Sequence, residues 1–375
     1  MSYIFAYNQT VTKCNGLKID NMKNNHTHKA LRISLPIPLL IILGPTASGK
    51  SDLAVKLARL AAKKAGVKIA AEIISADSRQ VYKGLDIGTG KITKSEMWNV
   101  PHHLLDVADP RVPANSPRHF TVEKWRHMAE AAIADIHARG RLPIVCGGTG
   151  FYISALVDGM TFPDVPPNKR LRERLAKKST SELFGQLKKL DPRRARDMRA
   201  NGDWKNGRRL IRAIEIVTSL GKVPPMTNTE NKKNEKQKYD PIFIGIAVPL
   251  EELKKRIEKR LKSRLKNGMI AEVKNLHKHK PRRTRSGKRA GLSWKRMDEL
   301  GLEYRFISRY LRGSKSQTLA TSTKIAARKK EMLAGLSSAI WHYAKRQMTW
   351  WKRDKRIIWL TPAEALRKFG GNTKK

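Results

Sequence analysis

The stretch LLIILGPTASGKSDLA, residues 39–54, constrains what this chain can fold into more than any other. An unbroken apolar run, Leu39 to Leu43, leads into Gly44, Pro45, Thr46, Ala47, Ser48, Gly49, Lys50 and Ser51, which is the spacing G-x-x-x-x-G-K-[ST]. Glycines let loop amides converge on phosphate oxygens with no Cβ in the way, a lysine neutralises the outer charge, and the serine hydroxyl is placed to hold Mg²⁺. The motif needs a strand before it and a helix after it, and both patterns are present. Phosphate binding follows. ATPase, kinase, GTPase and transferase all remain open on this motif alone.

Short apolar runs alternate with helical patterns along the chain, which predicts an α/β fold with a parallel sheet flanked by helices. The runs expected as strands are 38–44, 72–76, 103–107, 142–148, 241–248 and 356–361, with helices over 50–66 and 121–139. After Gly159 the pattern turns polar, helical and proline-interrupted, so 161–239 is expected as a helical insertion between a first part of the core, 36–160, and its completion in 240–375. The last region carries long basic helices. Residues 1–35 read as a polar N-terminal extension without signal-peptide character, with Met22 as an alternative start. The longest apolar candidate, 33–44, contains Pro36 and Pro38 and is too short to span a membrane.

In an open parallel sheet, loops after the strands share one crevice. ISADSRQVYKGLDIGTGK, 74–91, brings Asp77 there with Ser78, Arg79 and Gln80 beside it. Asp77 could remove a proton, or equally cap a turn or hold Mg²⁺. CGGTGFY, 146–152, brings the Thr149 hydroxyl to the same rim, where the segment could also be no more than a tight turn.

Charge points to the partner. The chain holds 78 Lys and Arg against 32 Asp and Glu, a net charge of +46. Such an excess suits a polyanion, since each cation that meets a phosphate releases a condensed counterion. The run from Val273 to Met297 contains no acid at all, and its place between helices favours a phosphate-tracking surface from Lys274 to Arg296. Trp294, Trp350 and Trp351 lie nearby as stacking candidates, with at least one expected in the core. Cys14 and Cys146 lack metal-ligand spacing and fit a reducing compartment.

Taken together, GPTASGKS, ISADSRQVYKGLDIGTGK, PHHLLDVADP, PIVCGGTGFYISALVDG, RRLIRAIEI and YAKRQMTWWKRD resemble the tRNA dimethylallyltransferase, or tRNA isopentenyltransferase, family in consistent order from Pro38 to Thr361. The resemblance implies a P-loop NTPase-like sheet and transfer of a dimethylallyl group from dimethylallyl diphosphate to N6 of adenosine 37, beside the anticodon of tRNAs reading codons that begin with U. On this reading the phosphate loop, Gly44 to Ser51, holds a leaving diphosphate and Mg²⁺ through Ser51. Arg256 and Arg260 support the diphosphate. Asp77 is the general base and Thr149 lines the reaction channel. Ser78, Arg79, Gln80, Arg170, Arg208, Arg209, Leu210, Ile211 and Arg212, with Asp77 and Thr149, match stretches that touch the anticodon stem-loop. The expected protein is a cytoplasmic monomer without a membrane partner. Two departures stand out, the segment 313–339 and the extension 1–35, which has no counterpart in the resemblance; nor is there a C-terminal zinc-finger pattern of the kind some relatives carry. A small-molecule kinase or an isopentenyltransferase acting on free adenylate is the second reading; a non-catalytic RNA-binding module is the third.

Overall fold

Leu39–Leu43 are buried without exception, as an apolar run with no polar alternation requires of a strand covered on both faces. In this computed structural model, which describes residues 36–113, 116, 118–160, 162–224, 238–278, 291–315 and 322–370, they form β1 (Ile37–Leu43). The chain turns through the phosphate loop into α1 (Lys50–Ala65), whose Leu53, Ala54, Leu57, Ala58 and Ala61 recur at helical spacing on the buried face. Gly66, at φ 64°, ends α1 in left-handed backbone and returns its N–H to the last turn. Next come β2 (Ala71–Ser75), a single helical turn at Lys94–Met97, β3 (His102–His103), α2 (Val122–Ala138), β4 (Leu142–Gly147) and α3 (Gly150–Val157). Four helices follow: α4 (Lys169–Leu175), α5 (Thr180–Leu190), α6 (Pro192–Ala200) and α7 (Gly207–Leu220). The chain returns as β5 (Tyr239–Ile246) and continues through α8 (Leu250–Lys266), α9 (Met269–Lys278), α10 (Trp294–Leu300), α11 (Leu302–Lys315), α12 (Ser322–Trp351), β6 (Ile357–Leu360) and α13 (Pro362–Gly370).

The six strands form one sheet in the order β3-β2-β4-β1-β5-β6, every neighbouring pair parallel. Five of the expected apolar runs are strands of it, within a residue or two at their ends; for the sixth, 103–107, only His103 belongs to a strand, β3, and residues 104–107 lie beyond it in irregular backbone. Because β2, β4 and β1 are adjacent, the loops that follow them emerge side by side at one edge. Inside the sheet one charge is buried: Glu72 on β2 accepts hydrogen bonds from Arg139, Arg141 and, at 2.7 Å, His103 Nε2. Burial works against its charge, but these donors outweigh that and carry its pKa down to about 2.

The chain divides into two units, one of Met1–Arg111, Lys124–Val157 and Asn234–Lys375 and one of Val112–Glu123 and Asp158–Lys233. The second unit has its own core, in which Leu171, Leu175, Leu183, Leu187, Met198, Leu210, Ile214 and Val217 cluster. Its helices carry explicit start signals: Ser179 and Glu182 make a capping box at α5, and the Asn206 side chain accepts from Arg208 and Arg209 N–H at α7. Glu215 is buried there against Arg172 and Arg212.

Candidate active site

The phosphate loop is built as its sequence requires. Gly49, at φ 93°, sets the start of α1, and no side chain caps that helix. Gly49, Lys50 and Ser51 make no backbone N–H hydrogen bond among the described residues, so the first turn offers its donors to an anion. Not every loop amide is free. Thr46 N–H donates to Gln347 Oε1 at 2.8 Å, and Ser48 N–H to Pro45 O at 3.3 Å. Within the expected cradle Gly44 to Ser51, the Thr46 and Ser48 amides are thus already engaged. Ser48 Oγ is buried without a hydrogen-bond partner among the described residues. Lys50 Nζ donates to Pro45 O at 3.0 Å, and burial holds its pKa below the usual lysine value despite Cys146 and Asp77 nearby. Cys146, behind the loop, is pushed up to about 11 by burial, with Lys50 and the Ser51 hydroxyl pulling the other way.

The neighbouring loops are stitched together. Ala76 N–H donates to Cys146 O, Thr149 N–H donates to Ala76 O, and Ser78 N–H donates to Thr149 Oγ1 at 3.1 Å. Gly147 permits this approach, since a Cβ there would lie 2.2 Å from Ala76 O. Asp77 is half-buried, and its Oδ1 accepts from Arg79 N–H at 2.8 Å and Gln80 N–H at 3.3 Å. Its Oδ2 accepts none among the described residues. The carboxylate is thus held through one oxygen and open through the other. The capping role weighed against a proton-accepting role is real, and both fit a single side chain.

Helix α8 closes the other side. Arg256 Nη1 reaches Ser48 O at 3.5 Å while its Nε pairs with Glu252. Arg260 donates to Gly90 O at 3.1 Å and pairs with no carboxylate among the described residues. Burial, then the charge of Arg264, pushes its pKa down to about 10. A desolvated cation with one neutral acceptor is costly unless an anion joins it. Two further residues carry this architecture without having been expected. Glu272 on α9 accepts from three successive amides, Asp86, Ile87 and Gly88, and from Tyr304 Oη, holding the second loop in shape. Gln347 on α12 ties the phosphate loop to Gly148 O.

Other expectations fall elsewhere. In the second unit Arg170, Arg208 and Arg209 are exposed, whereas Leu210 is fully buried in the core and Ile211 packs against it. Arg212 is spent on Glu215 and the carbonyls of Val165 and Pro163. Leu210 is therefore a support and not a contact, because α7 turns that position inward. Arg296, the end of the basic run, is likewise internal: it donates to Pro110 O at 2.8 Å and pairs with Glu299. Trp351 is core, Trp294 stacks on the His277 ring, and Trp350 is exposed. Residues 279–290 of the run and the extension 1–35 lie outside the described residues.

Comparison with known proteins adds the missing identity. A family model described as IPP transferase matches residues 80–354, and one described as Isopentenyl transferase matches 37–108. The chain belongs to the IPP transferase family. The tRNA dimethylallyltransferase 1 of Geotalea uraniireducens is 38% identical over 326 residues, covering 86% of this chain and 92% of that relative. The tRNA isopentenylpyrophosphate transferase structure from Bacillus halodurans is 30% identical at a TM-score of 0.56, covering 88% of this chain and 94% of that one. A eukaryotic dimethylallyltransferase crystallised acting on tRNA shares the fold, with 24% identity and a TM-score of 0.63 over 87% of this chain and 74% of that one. The P-loop NTPase-like sheet expected from the sequence is the fold of this family, and this member is a prenyltransferase. Among the described residues of this family member, no helix is long and apolar enough to cross a membrane.

Proposed function

We propose that this enzyme transfers the dimethylallyl group of dimethylallyl diphosphate to N6 of adenosine 37 in tRNAs that read codons beginning with U, releasing diphosphate. The observation that carries the reading is a cradle of free amides, Lys50 and the unpaired Arg260 at the same sheet edge as a carboxylate open through one oxygen. Diphosphate gains negative charge as it leaves, so fixed donors there stabilise the transition state more than the ground state. The N6 lone pair is delocalised into the purine ring and is a weak nucleophile. Asp77 Oδ2 offsets this by accepting the N6 proton as the carbon–nitrogen bond forms and the carbon–oxygen bond to diphosphate breaks.

Thr149 holds the loop that carries Asp77 and keeps a hydroxyl proton for substrate. Extruding the base costs a few kcal/mol, which tRNA contacts must offset; Ser78, Arg79, Gln80, Arg170, Arg208 and Arg209 are assigned to them. For Mg²⁺ the fit is a shared one. No cluster of three metal-ligating side chains occurs among the described residues, and the Ser51 hydroxyl at the head of α1 is a single ligand. Mg²⁺ keeps waters and binds substrate phosphates readily, so Ser51 with diphosphate oxygens would hold it, where it would neutralise leaving-group charge. The protein is assigned to act as a cytoplasmic monomer.

Labelled dimethylallyl diphosphate offered to purified protein with total tRNA or with AMP tests this reading. Label in tRNA supports it; label in AMP alone, or ATP hydrolysis without tRNA, replaces it.

A further inference from the structure

The diphosphate cradle and the proton acceptor lie on different loops, and their separation decides whether donor and acceptor meet in line. One side chain spans the gap. Gln347 sits in the last turns of α12, 301 residues from Thr46 in sequence, and is buried. Its Oε1 accepts Thr46 N–H at 2.8 Å and its Nε2 donates to Gly148 O at 2.8 Å. One end faces a donor and the other an acceptor, so the amide has one orientation. Thr149 follows Gly148 and holds Ser78 N–H, whose neighbour is Asp77. The path Thr46, Gln347, Gly148, Thr149, Ser78 is thus a continuous brace from the donor cradle to the base.

Gly148 is matched to this brace. A Cβ there would come within 2.2 Å of Gln347 Nε2, so any side chain would force the glutamine amide to shift from its place. By occupying Thr46 N–H, Gln347 also removes that amide from the set available to phosphate and leaves the charge to the head of α1.

We propose that Gln347 is a positioning residue for the transfer, a brace that sets the register of the diphosphate cradle against Asp77; this rests on the function proposed above. Its loss is felt first by the donor. In Gln347→Leu both bonds go. In Gln347→Glu the acceptor for Thr46 remains, but a carboxylate confronts Gly148 O. Gly148→Ala displaces the glutamine without altering it.

The experiment compares these three variants with wild type in steady-state transfer, pyrophosphate inhibition and equilibrium tRNA binding. Losing a buried, doubly bonded amide should raise KM for dimethylallyl diphosphate by about tenfold or more. The pyrophosphate inhibition constant should rise in parallel and kcat should fall, with tRNA affinity staying within about twofold. The Gln347→Glu defect should shrink as pH falls, because the protonated carboxyl can again donate to Gly148 O, while Gln347→Leu should show no such recovery. Donor KM and pyrophosphate inhibition unchanged in folded variants would overturn the brace, as would a loss confined to tRNA affinity, which marks a direct RNA contact. Wild type that moves no label to tRNA overturns the functional reading instead, and pyrophosphate protection against thermal unfolding then tests the brace alone.

Discussion

At the scale of single residues, the division of labour at Asp77 has a kinetic signature. Oδ1 is committed to two backbone amides and Oδ2 is open. Asp77→Ala should therefore cut turnover by about 10² or more while leaving tRNA affinity within a few-fold, measured by single-turnover transfer beside a binding titration. Near-normal turnover would remove Asp77 from the proton transfer. Lys50 gives a pH dependence. Burial lowers its pKa, so its charge is lost at lower pH than that of an ordinary lysine. Diphosphate binding needs that charge, and kcat/KM for dimethylallyl diphosphate should fall on the alkaline side with an apparent pKa below 10.5, the ordinary value; an alkaline limb unchanged in Lys50→Arg would assign it to another group. Asp77, Thr149 and the cradle were legible in sequence because short motifs place them at strand ends. Gln347 and Glu272 were not, because their partners lie 301 and about 185 residues away, and a polar residue on a helix carries no sign of which backbone it will meet. The RRLIR motif misled at Leu210 for a related reason: one turn of helix mixes an exposed face with a buried one.

At the scale of elements, β1, β2 and β4 were readable because each is an apolar run buried along most of its length, a pattern strong enough to survive without neighbours, whereas the edge strand β3 is a half-buried His-His pair that carries no such pattern. Glu72 is the exception, a buried carboxylate in β2 that only Arg139, Arg141 and His103 make tolerable. Its folded pKa of about 2 lies below its ordinary value of 4.5. Its stabilising contribution is complete above that ordinary value and is lost as pH falls toward 2. Glu72→Ala takes the shared carboxylate from Arg139, Arg141 and His103, with Arg139 retaining Asp135, and should cost about 3–5 kcal/mol. Thermal unfolding at pH 7 and at pH 3 should then show a large gap between variant and wild type that narrows in acid. A constant gap would assign the loss to packing alone.

At the scale of the whole molecule, the +46 charge predicts a steep salt dependence. Arg282, Arg283 and Arg285 lie outside the described residues, yet their charges still count. If all three meet tRNA phosphates, the triple alanine variant should flatten the slope of log affinity against log salt by about two units, at about 0.7–0.9 per contact. Cognate and non-cognate tRNA should weaken alike, and an unchanged slope would make the run a solvated loop. Arg296 is excluded from this set by its burial, which the unbroken basic sequence gave no means to foresee. The strand order has a consequence in time. Among the described residues β1 is the first strand made and lies between β4 and β5, and β5 is synthesised only after the four α-helices described for the second unit. During translation one edge of β1 has no partner until residue 239 and beyond have emerged, and β5 itself waits for β6 near the C-terminus. Long-range parallel pairing is slow because the intervening loop must close first. The nascent chain therefore carries a half-built sheet until β5 emerges, and the loops after β1, β2 and β4 wait longer still for Arg260 and Gln347 to complete the site.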